Sequence, residues 1–120
     1  MDFNLETRTC EPNITVVTLA GRVTLGQERG KIEAAVLKAL GDGVRKLVFD
    51  LADVSYIDST GIGIIAYCFG KITQQGGHAA VSGAGGLVKE VFRLTRLDNV
   101  ITFYPDVPAA CEGLTTTTSA

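Results

Sequence analysis

The chain has no tryptophan, and it contains only one histidine, one methionine and three prolines among its 120 residues. His78 is the one histidine, so no histidines are clustered, and no two cysteines have Cys-x-x-Cys spacing. We therefore expect no metal site. Neither sign of charge dominates, since the chain has 11 Lys and Arg and 13 Asp and Glu. The Lys and Arg residues are scattered and form no basic stripe. This balance gives no reason to expect direct nucleic-acid binding and favours a protein partner or a small ligand.

Cysteine is also scarce, and Cys10, Cys68 and Cys111 are odd in number and far apart. They are accompanied by no signal peptide, so neither a disulfide framework nor a secretory route is indicated. We therefore expect three reduced thiols in a cytoplasmic protein. No window approaches the roughly 18 uninterrupted apolar residues that a membrane span requires, so no membrane insertion is expected.

What the chain does have is a hydrophobic content of 46%, which is enough for one domain to bury a core without metals or disulfides. The last six residues, Thr115 to Ala120, show no apolar periodicity and lie at a terminus. We expect one domain over residues 1–112, followed by a disordered Thr-rich tail over residues 113–120.

Hydrophobic periodicity predicts strands that alternate with helices after an opening hairpin. The predicted strands cover 3–7, 14–19, 46–51, 79–82 and 100–103, and the predicted helices cover 27–40, 60–75 and 87–97. The run 46–51 is mostly apolar, which is typical of a central strand covered on both faces. The fold class is therefore α/β, with a mixed central sheet of about five strands and helices packed on it.

The most informative segment is Asp58-Ser59-Thr60-Gly61-Ile62-Gly63, which joins a predicted strand to a predicted helix. The N-terminus of a helix has unpaired backbone N–H groups and a dipole that favours negative charge. A hydroxyl on Ser59 suits two roles there. It can cap the helix, or it can carry a phosphate that adds about −1.5 to −2 charges beside Asp58.

These residues, with the apolar run before them, resemble the signature of the STAS family of bacterial anti-sigma factor antagonists. The similarity runs from about Thr15 to about Tyr104 and includes Gly21-Arg22-Val23 and the Gly76-Gly77 pair. The resemblance implies a STAS-like fold and a phosphorylation-controlled partner switch. Unphosphorylated at Ser59, the protein would bind an anti-sigma factor that is also a serine kinase, and a sigma factor would be freed. The phosphorylated form would release this partner until a phosphatase resets it.

On this resemblance the partner-binding residues are Asp58, Thr60, Gly61, Ile62, Gly63, Arg22 and Thr24. Gly61 and Gly63 suit a tight loop, where the backbone approaches a partner or adopts positive φ. Ile62 is an apolar contact if it is exposed and a core residue if it is not.

Thr24 stands where many family members carry Asp, and Arg22 adds positive charge to a loop expected to neighbour Ser59. A partner with a differently charged face is implied. The guanidinium of Arg22 also offers a fork of donors that suits a phosphate on Ser59.

There are three alternative functions. Residues 61–66 fit the pattern Gly-x-Gly-x-x-Ala of a nucleotide-binding module, but the next predicted strand has no acid to hold a ribose. A Ser59 nucleophile would need a base, and His78 lies roughly 20 Å away at the far end of a helix of about fifteen residues. We therefore expect neither an enzyme nor a cofactor. A STAS scaffold that never switches stays open as the third.

Overall fold

A five-stranded sheet with strand order β1-β2-β3-β4-β5 forms the centre of the domain. The structure is a computed structural model that describes residues 3–11, 13–24, 27–97 and 101–116. In chain order the elements are β1 (Asn4–Glu11), β2 (Ile14–Val23), α1 (Gln27–Gly41), β3 (Lys46–Ile57), α2 (Ser59–Gln74), β4 (His78–Ser82), α3 (Gly86–Leu94), β5 (Phe103–Tyr104) and α4 (Val107–Thr116).

The sheet is mixed, as predicted. β1 pairs with β2 as an antiparallel hairpin, whereas β2, β3, β4 and β5 run parallel to one another. The predicted central strand is β3, which lies in the middle of the order because both of its faces carry apolar side chains. Helices connect the parallel strands, because the chain must return from the end of one strand to the start of the next and a tight turn cannot cover that distance.

Helices cover the two faces of the sheet unequally. α1, α2 and α3 pack on one face, where Leu47, Phe49 and Leu51 of β3 are at most 1% exposed. The other face carries α4, which packs over Ile14, Val16, Val48 and Ala80. Side chains alternate between faces along a strand, so the same β3 run supplies both cores.

Several elements differ in length from the predictions. β3 continues to Ile57 and β2 to Val23, because the two strands stay paired through two irregularities in register. α3 ends at Leu94, short of the predicted residue 97. The predicted last strand began at Val100, which lies outside the described residues, and the observed strand is Phe103–Tyr104. Ile101 instead packs into the core, 4% exposed.

The predicted tail boundary at residue 113 does not match the structure, because α4 continues to Thr116 and Leu114 is 4% exposed. The helix begins at a cap in which Asp106 Oδ1 accepts from the N–H of Ala109 at 2.9 Å. Pro108 follows in the first turn, where a missing N–H costs no helical hydrogen bond. Asp106 and Pro108 are thus start signals of a helix that runs into the threonines. Residues 117–120 lie outside the described residues.

The prediction of three reduced thiols is wrong for two of them, since Cys10 and Cys111 form a disulfide with a Cα–Cα distance of 6.9 Å. They are 101 residues apart in sequence. Cys10 lies on β1, the edge strand, and on the face of the sheet that α4 covers. The antiparallel turn of the hairpin and the return of α4 therefore bring them together. Cys68 is a free, buried thiol on α2.

None of the helices in the described part of the chain combines the length and the hydropathy needed to cross a membrane.

Candidate functional site

The site lies where β2 and β3 end and α2 begins. Val23 and Ile57 are paired at the ends of their parallel strands, and α2 starts two residues after Ile57. The carboxyl ends of parallel strands meet at one edge of a sheet, so the end of β2 lies beside the start of α2. The Asp58–Gly63 segment and the Arg22–Thr24 segment are therefore neighbours, as predicted.

Asp58 is the N-cap of α2. Its backbone is extended, with φ −113° and ψ −176°, and its Oδ1 accepts a hydrogen bond from the N–H of Gly61 at 2.9 Å. Its carbonyl oxygen accepts from the N–H of Ile62 at 2.9 Å, the first bond of the helical ladder. The carboxylate also places negative charge at the positive end of the helix dipole. Asp58 therefore caps the helix, a role that the sequence also allowed for Ser59.

Ser59 and Thr60 are the first two residues of α2, and both are exposed. Within the described part of the chain, neither hydroxyl takes part in a hydrogen bond. Their backbone N–H groups belong to the first turn, which has no preceding carbonyl to bond to. Ser59 thus presents a free hydroxyl beside unpaired donors, and its removal would leave the Asp58 cap in place.

Gly61 allows close packing within the domain. A Cβ placed on Gly61 would clash with the carbonyl oxygen of Val23 and lie 2.8 Å from Cγ1 of Ile57. No positive φ is involved, so the requirement is space between α2 and the end of β2. Gly61 is thus buried against the backbone of β2, and its contact with a partner stays a prediction.

Ile62 is 1% exposed and lies in the core with Ile64 and Ile65, so its side chain is not a surface contact. It points inward because positions one turn apart on α2 face the sheet. Gly63 is exposed, and a Cβ on it would meet nothing within 4 Å. Gly63 is consequently the glycine of the motif that leaves open surface next to Ser59.

Arg22 is exposed, and its guanidinium carbon lies 4.4 Å from the centre of the Tyr56 ring. The two residues are paired across β2 and β3, so the contact is a cross-strand cation–π interaction. Tyr56 is 38% exposed and was not predicted as a site residue. Its one sequence signal is an aromatic two residues before Asp58. Thr24 is half-buried at the end of the same segment.

The one histidine of the chain lies far from Ser59. His78 begins β4, after the whole of α2, and a helix of 16 residues is about 24 Å long. No group of His, Cys, Asp and Glu side chains able to hold a metal exists among the described residues. Burial raises the pKa of Cys68 to about 12, with a further contribution from Glu33, so this thiol is no nucleophile at neutral pH.

The Gly-x-Gly-x-x-Ala pattern lacks the geometry of a dinucleotide site. In such a site the first glycines let a pyrophosphate approach the backbone at a helix N-terminus. Here Gly61 packs against Val23, and its N–H is bonded to the Asp58 carboxylate. The space and the donor that a phosphate would use are both taken.

The domain thus combines a mixed five-stranded sheet with an exposed serine at an Asp-capped helix start, which places it among small α/β domains. The family model of the STAS domain matches residues 7–110, which is most of the chain. The protein belongs to the STAS domain family.

Individual relatives agree with this assignment. The chain is 28% identical over 113 residues to an anti-sigma-B factor antagonist of Bacillus subtilis strain 168, covering 94% of this chain and 97% of that protein. It superposes with a TM-score of 0.83 on an anti-sigma factor antagonist from Mycobacterium paratuberculosis, at 22% identity and 95% coverage of both chains. It also superposes on the Bacillus cell fate determinant SpoIIAA in its phosphorylated form, with a TM-score of 0.72, 15% identity and coverage of 92% and 99%. These two structural likenesses concern the fold.

Proposed function

We propose that this protein is an anti-sigma factor antagonist, a regulatory binding protein whose affinity for its partner is switched by phosphorylation of Ser59. The observation that carries the proposal is the exposed hydroxyl of Ser59 at the first position of α2, left free because Asp58 caps the helix. The names of the relatives support the antagonist role, and one structural neighbour is a phosphorylated protein.

Phosphorylation at this position changes the surface and leaves the fold intact. The phosphate adds about −1.5 to −2 charges and three acceptor oxygens. The N–H groups of Ser59 and Thr60 can donate hydrogen bonds to these oxygens without displacing the bond between Asp58 and Gly61. The new charge lies next to Asp58, at the edge of the sheet where α2 begins. A partner surface that docks flat on this edge is then repelled.

In the proposed cycle the unphosphorylated protein binds an anti-sigma factor that is also a serine kinase, and a sigma factor is released. Phosphorylation of Ser59 by that partner ends the interaction, and a phosphatase restores the binding form. The partner's contact face is the exposed part of the site: Ser59, Thr60, Gly63, Arg22 and Tyr56. The Arg22 charge and Thr24 imply a partner whose face is more acidic or more polar than one built to meet an Asp at position 24.

The test uses candidate anti-sigma kinases encoded in the same genome, with ATP, and intact-protein mass spectrometry. Wild type and Thr60→Ala should gain one phosphate, and Ser59→Ala should gain none. Thr60→Ala is the matched control, because Thr60 is an equally exposed hydroxyl of the same helical turn. Calorimetry should show that the purified phosphorylated form binds the kinase at least about tenfold more weakly than the unphosphorylated form.

Each other outcome contradicts a named part of the proposal. Phosphate on Ser59→Ala would move the acceptor to another residue. Tight binding without phosphate transfer would indicate a non-switching STAS scaffold. Neither binding nor phosphate with any of the kinases would remove the antagonist role and leave a family likeness of fold.

A further inference from the structure

β1 forms one edge of the sheet, and among the described residues it pairs with β2 alone. Its register is regular from Asn4, opposite Ala20, to Thr9, opposite Thr15, and the bulge comes only after Thr9. Every second N–H and C=O along these six residues points away from β2, toward the outside of the sheet. Such an edge is a template for another strand unless the sequence blocks it.

Two of the usual blocks, a proline and a bulge, are absent from the regular stretch of this edge. Residues 4–11 contain no proline, and the regular stretch has no bulge. Its charged residues are Glu6 and Arg8, which are exposed and of opposite sign. Neither has an ion-pair partner within the described residues. Because they are two residues apart, both side chains point to the same face of the sheet.

Opposite charges two residues apart make a strand complementary to itself. Backbone N–H and C=O directions alternate along a strand. When two copies of a strand pair antiparallel about a two-fold axis, the numbers of two opposed residues therefore differ by an even number, and the axis passes through a residue. An axis at Thr7 places Glu6 opposite the partner's Arg8, and this happens twice. An axis at Glu6 or at Arg8 instead places two like charges directly opposite each other, which is unfavourable.

We propose that β1 pairs with β1 of a second copy of this chain, antiparallel about a two-fold axis at Thr7, so that the two sheets form one of ten strands. Two Glu6–Arg8 pairs close an isologous interface, in which the same patch is used by both copies. Both side chains are fully available for this contact, as no other residue competes for them in the described chain. The pairing also uses the outward backbone groups of Leu5 to Thr9.

The dimer leaves the phosphorylation site accessible. Ser59 begins α2, which follows β3, and β1 is separated from β3 by β2. Each dimer would therefore carry two Ser59 hydroxyls, each beyond the carboxyl end of β3 in its own copy and away from the β1 interface. The inference does not depend on the proposed function, and its test needs neither kinase nor phosphate.

Charge exchange at the two positions gives a direct test by sedimentation equilibrium. Wild type should dimerise, whereas Glu6→Arg and Arg8→Glu should each dimerise at least about tenfold more weakly, since each places like charges opposite one another. An equimolar mixture of these two variants should associate, because every opposed pair is then complementary. The double variant Glu6→Arg/Arg8→Glu should dimerise with itself and fail to associate with wild type.

Lys89→Glu on α3 is the matched control, since it changes the net charge as Arg8→Glu does and belongs to an element that packs beside other strands. It should dimerise like wild type. A monomeric wild type at every concentration would overturn the proposal, as would single variants that dimerise normally or a mixture that stays monomeric. Association of wild type with a foreign extended peptide, but not with itself, would also overturn it and indicate a heterologous strand.

The register has its own test. Thr7→Cys should be cross-linked to its copy by a short bis-maleimide, because opposed Cβ atoms are about 5 Å apart. Thr9→Cys is also exposed and should not cross-link. With the axis at Thr7, the two cysteines at position 9 would be offset by four residues along the strands, or about 13 Å. Equal cross-linking of both variants would contradict the axis at Thr7.

Discussion

The carboxylate of Asp58 accepts a hydrogen bond from the N–H of Gly61 at 2.9 Å, so the cap of α2 and the candidate phosphate acceptor are two different residues. An N-cap side chain and a phosphate on a first-turn serine both use the free N–H donors of the first turn. Here the cap lies one residue before Ser59. Stability and switching can therefore be separated by mutation.

Replacing Asp58 with Ala should lower the free energy of unfolding by about 1 kcal/mol, because the N–H of Gly61 loses its acceptor. Ser59→Ala should change it by less than about 0.5 kcal/mol, since that hydroxyl bonds to nothing in the described chain. Urea denaturation of both variants measures the difference. Equal losses for the two substitutions would show that Ser59 shares the capping.

The two glycines of the motif should respond to alanine with opposite signs. Gly61→Ala places a Cβ against the carbonyl oxygen of Val23 and 2.8 Å from Cγ1 of Ile57, and should cost about 1–3 kcal/mol through overpacking. Gly63→Ala meets nothing within 4 Å and should stabilise the helix by about 0.5–1 kcal/mol. Thermal unfolding gives the Tm of each variant. Tm shifts in the same direction would contradict the different roles of the two glycines.

The Cys10–Cys111 disulfide should stabilise the protein by about 2–4 kcal/mol, because it closes a loop of about 100 residues in the unfolded chain. Reduction, or Cys111→Ser, should lower the Tm accordingly. Thiol titration gives the matched control: unfolded protein should show one thiol before reduction and three after it. Three thiols in unreduced protein would show that the bond does not form.

Cys68 predicts a dependence of stability on alkaline pH. Burial raises its pKa from 9.0 to about 12, so the folded state retains the thiol proton over a range where the unfolded state loses it. Its contribution to stability is therefore complete below pH 9 and declines as the pH rises toward 12. Stability measured between pH 8 and 11 should fall less steeply in Cys68→Ala than in wild type. Parallel slopes would contradict the assignment.

Arg22 is expected to stabilise the phosphorylated form in particular. Arg22→Ala removes its contact with Tyr56 in both forms, but only the phosphorylated form would also lose a donor to the Ser59 phosphate. The extra loss should be about 0.5–1 kcal/mol, as the pair is exposed. Comparing the Tm of both forms in Arg22→Ala and in Arg22→Lys isolates the guanidinium. Equal shifts in the two forms would remove the phosphate contact.

Local patterns predicted the order of the elements correctly from β1 to β4, together with the central position of β3. They failed where local signals were weak or misleading. The start of α4 at Asp106 and Pro108 is a normal helix signal, but the following threonines suggested a tail. The strand-to-helix position of the Asp58–Gly63 motif was predicted correctly, whereas the roles of its residues were not separated, because capping, burial and exposure look alike in one Asp-Ser-Thr-Gly-Ile run.

By itself, the sequence determined the class of fold and the place of the candidate switch, since periodicity and the strand-to-helix motif are properties of neighbouring residues. Only the tertiary structure decided which motif residues are available to a partner. The close approach of β2 makes Gly61 and Ile62 internal, and it leaves Ser59, Gly63 and the Arg22–Tyr56 pair at the surface. The Cys10–Cys111 bond has the same origin, because contacts between residues 101 positions apart depend on how sheet and helix pack.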